Sequence, residues 1–354
     1  MNKLLTGGAV ACAAVLLCAA VSNEPIKREY TVRTDKVSGV VRIAQISDLH
    51  DCMFGEGQSK LISMLISARP DVIVLTGDII EDTQDLKNGK PDVILHKNHP
   101  ARIVIEAAAK LAPVYMVLGN HEANIACRER LLHELTSLGV RLVGGEKEYL
   151  LVKGGEILIC GADDPRFGGI NARVSATMSD KDKPESAGIG TERSSSHIPA
   201  DDVGYIHVKP CDADSEGFIK GVSRHIDEDC NKDTAEINSW RGQLIRRYSA
   251  VERSRAYTLL LSHRPEEYPL YRGLGFDAAM SGHAHGGQWR LPPLINGVYA
   301  PHQGIFPSHA GGIYRYDDDR FVHIVSRGLS TKRCVRICNR PELCVLRLLP
   351  RGRA

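Results

Sequence analysis

The 354-residue sequence predicts an α/β protein in which a largely parallel sheet is covered by helices. Two observations lead there. Apolar runs of strand length alternate with segments whose apolar residues recur at helical spacing. Several of those runs also stop abruptly at Asp, Asn or His, at the strand ends where sheets of this kind gather ligands.

Taken in order, "VRIAQISD" (41–48) is a first buried strand, and "QSKLISMLISARP" follows it with Leu61, Met64 or Leu65, and Ala68 on one helical face. "DVIVLTGD" (71–78) is the next strand. A helix around 101–111, the strand "VYMVLGN" and a helix around 128–138 continue the alternation, before two short strand-like runs at 149–152 and 156–161. From 164 to about 250 the pattern breaks. "DKDKPESAGIGTERSSSHIPADD" is rich in Ser, Gly, Pro and charge and poor in large apolar side chains, which describes a loop or an insertion rather than a core element. Strands resume with "YTLLLSH" (257–263), "FDAAMSGH" (276–283), "GQWRLP", "GGIYRY" and "FVHIVS", the later ones short and closely spaced as antiparallel strands are. The expected organisation is one domain over 40–354 with a polar insertion at about 164–250.

The amino end differs from everything after it. A short positive start is followed by 18 uncharged residues from Leu4 to Val21, so residues 1–22 are read as a signal peptide or an N-terminal membrane anchor. Export to the membrane or the extracytoplasmic side is expected, with cleavage undecided. The net charge of +2 gives no reason to invoke nucleic acid. The segment from Ser326 onward carries eight Lys/Arg and one acid and is read as a solvated strand-and-tail surface. In a second reading Lys332, Arg333, Arg336, Arg340 and Arg347 rest on anionic lipid or cell-wall polymer. Eight of the ten cysteines remain once Cys12 and Cys18 are set aside with the leader. They form no CxxC pair, and Cys160 reads as a core residue.

The strand ends carry the chemistry. The first ends in "SDLHD" with Asp48 and His50, the second in "TGDIIED" with Asp78, and the third in "LGNHE" with Asn120 and His121. "LLLSHRPE" delivers His263, and "SGHAH" delivers His283 and His285. Each has an ordinary structural account when taken singly, such as a helix cap, a turn or a core histidine. Together, at the ends where α/β sheets bind ligands, they define a metal site.

Asp48-x-His50, Gly77-Asp78, Gly119-Asn120-His121-Glu122, His263 and Gly282-His283-x-His285 resemble, in order, the motifs of the calcineurin-like metallophosphoesterases. The resemblance covers about 41–162 and 256–345. "RIAQISDLH", "HGGQWRLP" and "VSRGLS", with the leader, are most similar to the bacterial cell-envelope branch. It implies a four-layer α/β/β/α sandwich, with mixed sheets covered by helices. It also implies two divalent metal ions about 3.5 to 4 Å apart. One would be held by Asp48, His50, Asp78 and His285, the other by Asp78, Asn120, His263 and His283. Oxygen and imidazole ligands together suit Mn, Fe or Zn better than Mg or Ca.

In that reading Asp78 bridges the ions, and a metal-bridging hydroxide attacks phosphorus directly. His121 stabilises or protonates the leaving oxygen. Family members often support this histidine with an acid three residues after the bridging aspartate. That position is Glu81 here, with Asp82 beside it, so both are candidates. No Ser or Cys nucleophile motif implies a covalent phosphoenzyme. The expected function is hydrolysis of a phosphomonoester, phosphodiester or pyrophosphate bond, with a lipid or cell-envelope phosphoester among the candidate substrates. The alternative is a catalytically weak metal-binding or scaffolding protein on the same fold.

Overall fold

Two six-stranded sheets stack face to face in the computed structural model, which describes residues 21–90, 92–173, 239–332 and 335–352. The first sheet runs, in spatial order, β1 (Ile26–Thr34), β14 (Glu342–Pro350), β2 (Val41–Ile46), β3 (Val72–Thr76), β4 (Val114–Val117) and β5 (Val140–Leu142). Strands β2 to β5 are parallel, and β14 is antiparallel to β2. The second runs β12 (Gly312–Tyr316), β13 (Phe321–Val325), β9 (Ala278–Ser281), β8 (Tyr257–Ser262), β7 (Gly155–Ala162) and β6 (Lys147–Val152). Its four central strands are parallel, and both edge strands are antiparallel to their neighbours. A two-stranded ribbon, β10 (Tyr299–Ala300) with β11 (Gly304–Ile305), stands apart.

Side-chain alternation explains the layering. Val72 and Val74 of β3 point toward the second sheet, where they meet the Ile157, Leu259 and Met280 cluster. Ile73 and Leu75 point the other way, onto helices α1 (Ser59–Ala68), α2 (Pro100–Leu111) and α4 (Arg128–Ser137). A single turn, α3 (Asn120–Ala123), lies between α2 and α4. The α1 face is the one read from the sequence, Leu61, Leu65 and Ala68, and α4 buries Leu131, Leu132 and Leu135. On the outer face of the second sheet, Leu158, Cys160 and Leu260 pack against Trp240, Leu244 and Tyr248 of the helical residues 239–248. These layers are α, β, β and α.

The core therefore resumes at 239 rather than near 250. Trp240, Leu244 and Tyr248 are fully buried and furnish the fourth layer, a role hidden in sequence by the polar residues between them. The leader up to residue 20 and the insertion over 174–238 lie outside the described residues.

Both ends of the domain also differ from the sequence reading. The domain begins before residue 40, because Ile26–Thr34 forms an edge strand parallel to β14. The carboxyl segment is no solvated tail: Leu343, Leu346 and Leu348 are buried, and so is Arg336, whose guanidinium bonds the carbonyls of Ser330 and Arg327. Arg340 donates to Glu24 O, and Arg347 lies 3.6 Å from Glu29, so neither stands as a bare cation. Arg333 lies outside the described residues. "GQWRLP" forms no regular strand but a loop tied by isolated bridges from Trp289 to Ile337 and from Leu291 to Ile295. Cys52, Cys127, Cys160, Cys338 and Cys344 are free thiols.

Candidate metal centre

The carboxyl ends of β2, β3, β4, β8 and β9 converge at one rim, and each strand stops where a polar side chain must turn inward. The turn is sharp: Asp48, His50, Asp78, His283 and His285 all adopt positive φ, between 45° and 67°. For such residues that backbone costs about 1 to 3 kcal/mol each and persists only where surrounding contacts enforce it. Two such contacts are Asp48 N to Gly77 O at 3.0 Å and His50 N to Asp78 O at 3.1 Å. Gly77 is required by proximity, since a Cβ there would lie 2.7 Å from both the Gly119 backbone and His263 Nδ1.

Two groups consist wholly of the sequence-selected ligand candidates. Asp48, His50 and His285 form one, and Asp78, His263 and His283 the other, each within 4.8 Å. In the second group His263 Nε2 sits 3.2 Å from Asp78 Oδ2, 3.2 Å from Asn120 Oδ1 and 3.1 Å from His283 Nδ1. Asp78 joins the groups: the same Oδ2 is 3.7 Å from His50 Nε2. His285 Nε2 is 3.7 Å from Asp48 Oδ1. The structure thus brings all seven sequence-selected ligand candidates together.

Divalent ions fit this donor set. Asp48 Oδ2 and His50 Nε2 are buried without a hydrogen-bond partner, at an energetic cost that an ion between them would remove. Burial drives His285 down to about 3, and burial with the neighbouring His263 charge keeps His283 well below its ordinary value, so both rings are neutral donors. Burial also works against charge on Asp78, but His263 overrides it and holds the carboxyl well below the usual range. His263 in turn is pushed up to about 10: burial opposes its charge, and Asp78 more than compensates.

The two acids after Asp78 divide their work. Asp82 Oδ1 is 2.7 Å from His121 Nδ1, whereas Glu81 Oε2 is 2.9 Å from His50 Nδ1 and its other oxygen is 3.6 Å from His121. Asp82 is thus the nearer support for His121, and Glu81 orients the ligand candidate His50. His121 Nε2 faces Asp78 Oδ2 at 3.9 Å.

Three further features had no assigned role in the sequence reading. The Glu122 carboxylate accepts the backbone N–H groups of Asp78, Ile79, Ile80 and Gly119, locking the turns after β3 and β4 together. Arg264 and Asp164 form a buried ion pair beside His263, with Arg264 Nη2 3.0 Å from Asp164 Oδ1. His302 Nδ1 lies 2.8 Å from His283 Nε2. Glu122 belongs to the Gly119–Glu122 motif and Arg264 follows His263, so both are legible in the sequence, whereas His302, in "PHQG", carries no signal.

A sequence profile described as calcineurin-like phosphoesterase matches residues 41–287, and the chain belongs to that family of phosphoester hydrolases. Among individual proteins it is similar to the UDP-2,3-diacylglucosamine pyrophosphatase LpxG of Chlamydia trachomatis serovar D, 31% identical over 94 residues, and to that of Chlamydia muridarum at 30%. Each alignment covers 26% of this chain and 29% of the relative, so less than a third of either relative is spanned. Similar solved structures include the phosphopantetheinyl hydrolase of Mycobacterium tuberculosis, at 15% identity and TM-score 0.36, covering 83% of this chain and 92% of that one. The NAD nucleotidase of Haemophilus influenzae follows at 14% and 0.42, covering 82% and 46%.

Proposed function

We propose that this protein is a binuclear metal-dependent phosphoesterase that cleaves a phosphoester or pyrophosphate bond by direct attack of water. The observation that carries the reading is the position of Asp78 Oδ2, one carboxylate oxygen shared between the His263 and His50 groups. Asp48, His50, Asp78 and His285 would hold one ion, and Asp78, Asn120, His263 and His283 the other. When bound, the ions supply charge neutralisation for the phosphoryl group and activation of water, with Mn, Fe or Zn suited to the mixed oxygen and imidazole donors.

The protein's own groups do the rest. Asp82 accepts from His121 Nδ1–H and fixes the ring, so that Nε2 faces the reacting site and can stabilise or protonate the leaving oxygen. Glu81 accepts from His50 Nδ1–H, which leaves Nε2 free to coordinate. Glu122 pins the backbone that presents Asp78 and Asn120.

The Chlamydia relatives' names direct the substrate reading toward a pyrophosphate bond in a nucleotide-linked lipid. Turnover of bis(p-nitrophenyl) phosphate, p-nitrophenyl phosphate and an acylated nucleotide-sugar pyrophosphate, each with and without chelator, tests the reading. Chelator-sensitive cleavage supports it, and the preferred compound sets the class. Absence of cleavage of all three by metal-loaded protein would leave the scaffold alternative in place.

We further propose export through the apolar segment Leu4–Val21, with the catalytic body outside the cytoplasmic membrane. No helix among the described residues is long and apolar enough to cross a membrane. Fractionation decides this: activity confined to the soluble cytoplasm, on a chain retaining Met1–Val21, counts against it.

A further inference from the structure

Large apolar side chains are exposed singly over most of the surface, as on any folded protein. Among the described residues one region gathers six besides Tyr299. Trp289, Leu291 and Leu294 are exposed by 48, 54 and 80%, and Ile305, Phe306 and Val335 by 71, 66 and 64%. They belong to one tied substructure. Trp289 Nε1 donates to Val335 O at 2.9 Å, Leu291 bridges to Ile295, and Phe306 N bonds Val298 O, whose own N–H reaches Trp289 O. Ile305 faces Tyr299, itself exposed, across the β10–β11 ribbon.

This apolar rim borders the metal centre. Trp289 follows His285 by four residues, and His302, at the turn of the ribbon, contacts His283. Residues 23–25 are tied to the same loop system. Asn23, Glu24 and Pro25 share a recess of about 230 Å³ with Thr331 and the exposed Met53. Glu24 O accepts from Arg340 Nε at 2.9 Å, while the preceding Asn339 donates to His285 O at 2.8 Å and Gln288 O at 3.1 Å. Two residues therefore link the end of the uncharged Leu4–Val21 segment to the loop that presents Trp289.

We infer that the rim of Trp289, Leu291, Leu294, Ile305, Phe306 and Val335 is a contact surface for a lipid bilayer, with the mouth of the metal centre at the membrane interface. The uncharged segment Leu4–Val21, which precedes Asn23 in the chain, argues for lipid rather than a protein partner: on the proposed membrane attachment, Glu24 and the loop tied to it stand at the bilayer. The composition agrees: Trp289 and Tyr299 are interface-seeking aromatics, and Lys332 is an exposed cation nearby. The inference does not depend on the hydrolytic reading but rests on the proposed membrane attachment through Leu4–Val21.

The two tryptophans supply the test. Trp240 is fully buried, so only Trp289 can meet a lipid-borne quencher. The full chain is reconstituted with vesicles of phosphatidylethanolamine and phosphatidylglycerol containing brominated phosphatidylcholine. The expected result is partial quenching that vanishes in Trp289→Phe. Quenching is also lost in the triple variant Leu294→Asp, Ile305→Asp, Phe306→Asp, with hydrolysis of soluble bis(p-nitrophenyl) phosphate unchanged. A vesicle-bound wild-type chain whose emission ignores brominated lipid overturns the inference. If Trp289 also resists aqueous iodide, another part of this chain covers the rim. Lipid quenching in a protein that hydrolyses no phosphoester would leave the surface standing and remove the hydrolytic function.

Discussion

Asp82 Oδ1 lies 2.7 Å from His121 Nδ1, on the ring edge away from the nitrogen that faces Asp78. The neighbouring Glu81 is bound instead to His50 at 2.9 Å, so adjacent acids serve different imidazoles. Asp82→Asn should therefore lower turnover about 10- to 100-fold with metal content retained. Glu81→Gln should weaken metal binding by a similar factor, the usual effect of removing a ligand's outer partner. Metal titration of both variants checks the division, and identical phenotypes would refute it.

Asp78 is expected to behave differently from every other ligand candidate, because its Oδ2 stands between the His263 and His50 groups. Asp78→Asn removes the charge that offsets two cations, so one metal equivalent should be lost and activity should fall by orders of magnitude. Metal analysis with two ions retained and turnover intact would remove Asp78 from the bridging role.

His121→Ala should keep metal content near wild type while turnover drops by about 10² to 10⁴, the range for a general acid. The loss should be smaller for p-nitrophenolate, which leaves with little help from a proton, than for an alkoxide. Equal losses on both substrates would argue against proton donation.

His302 sits behind a ligand candidate rather than at the reaction centre, with Nδ1 2.8 Å from His283 Nε2. Its removal frees the His283 ring to rotate. His302→Ala should reduce metal affinity about 10- to 100-fold, with turnover recovering at saturating metal. Activity that stays low in excess metal would place His302 on the substrate instead.

Trp240 closes the outer face of the second sheet and donates Nε1 to Asp163 O at 2.7 Å. Trp240→Ala should destabilise the fold by about 3 to 5 kcal/mol, as large-to-small changes in a packed core do. Chemical denaturation measures this, and a change below about 1 kcal/mol would place the helix outside the cooperative core.

The sequence by itself determined the central strands and the residues at their ends, because both signals are local. The run from Val72 to Leu75 is apolar throughout since both its faces are covered, and the first charged residue past Gly77 marks where the sheet stops. Only the tertiary structure decided the rest, because those facts join distant parts of the chain. The pairing of β1 with β14 brings Ile26 opposite Glu342, and no pattern within either strand names the other. Trp240, Leu244 and Tyr248 are spaced for a buried helical face, yet their flanking charges resemble the polar stretch before them until the sheet supplies their partner. Glu81 and Asp82 are chemically near-equivalent neighbours. The direction in which the chain turns after Asp78 sends one to His50 and the other to His121, and no residue type records that direction.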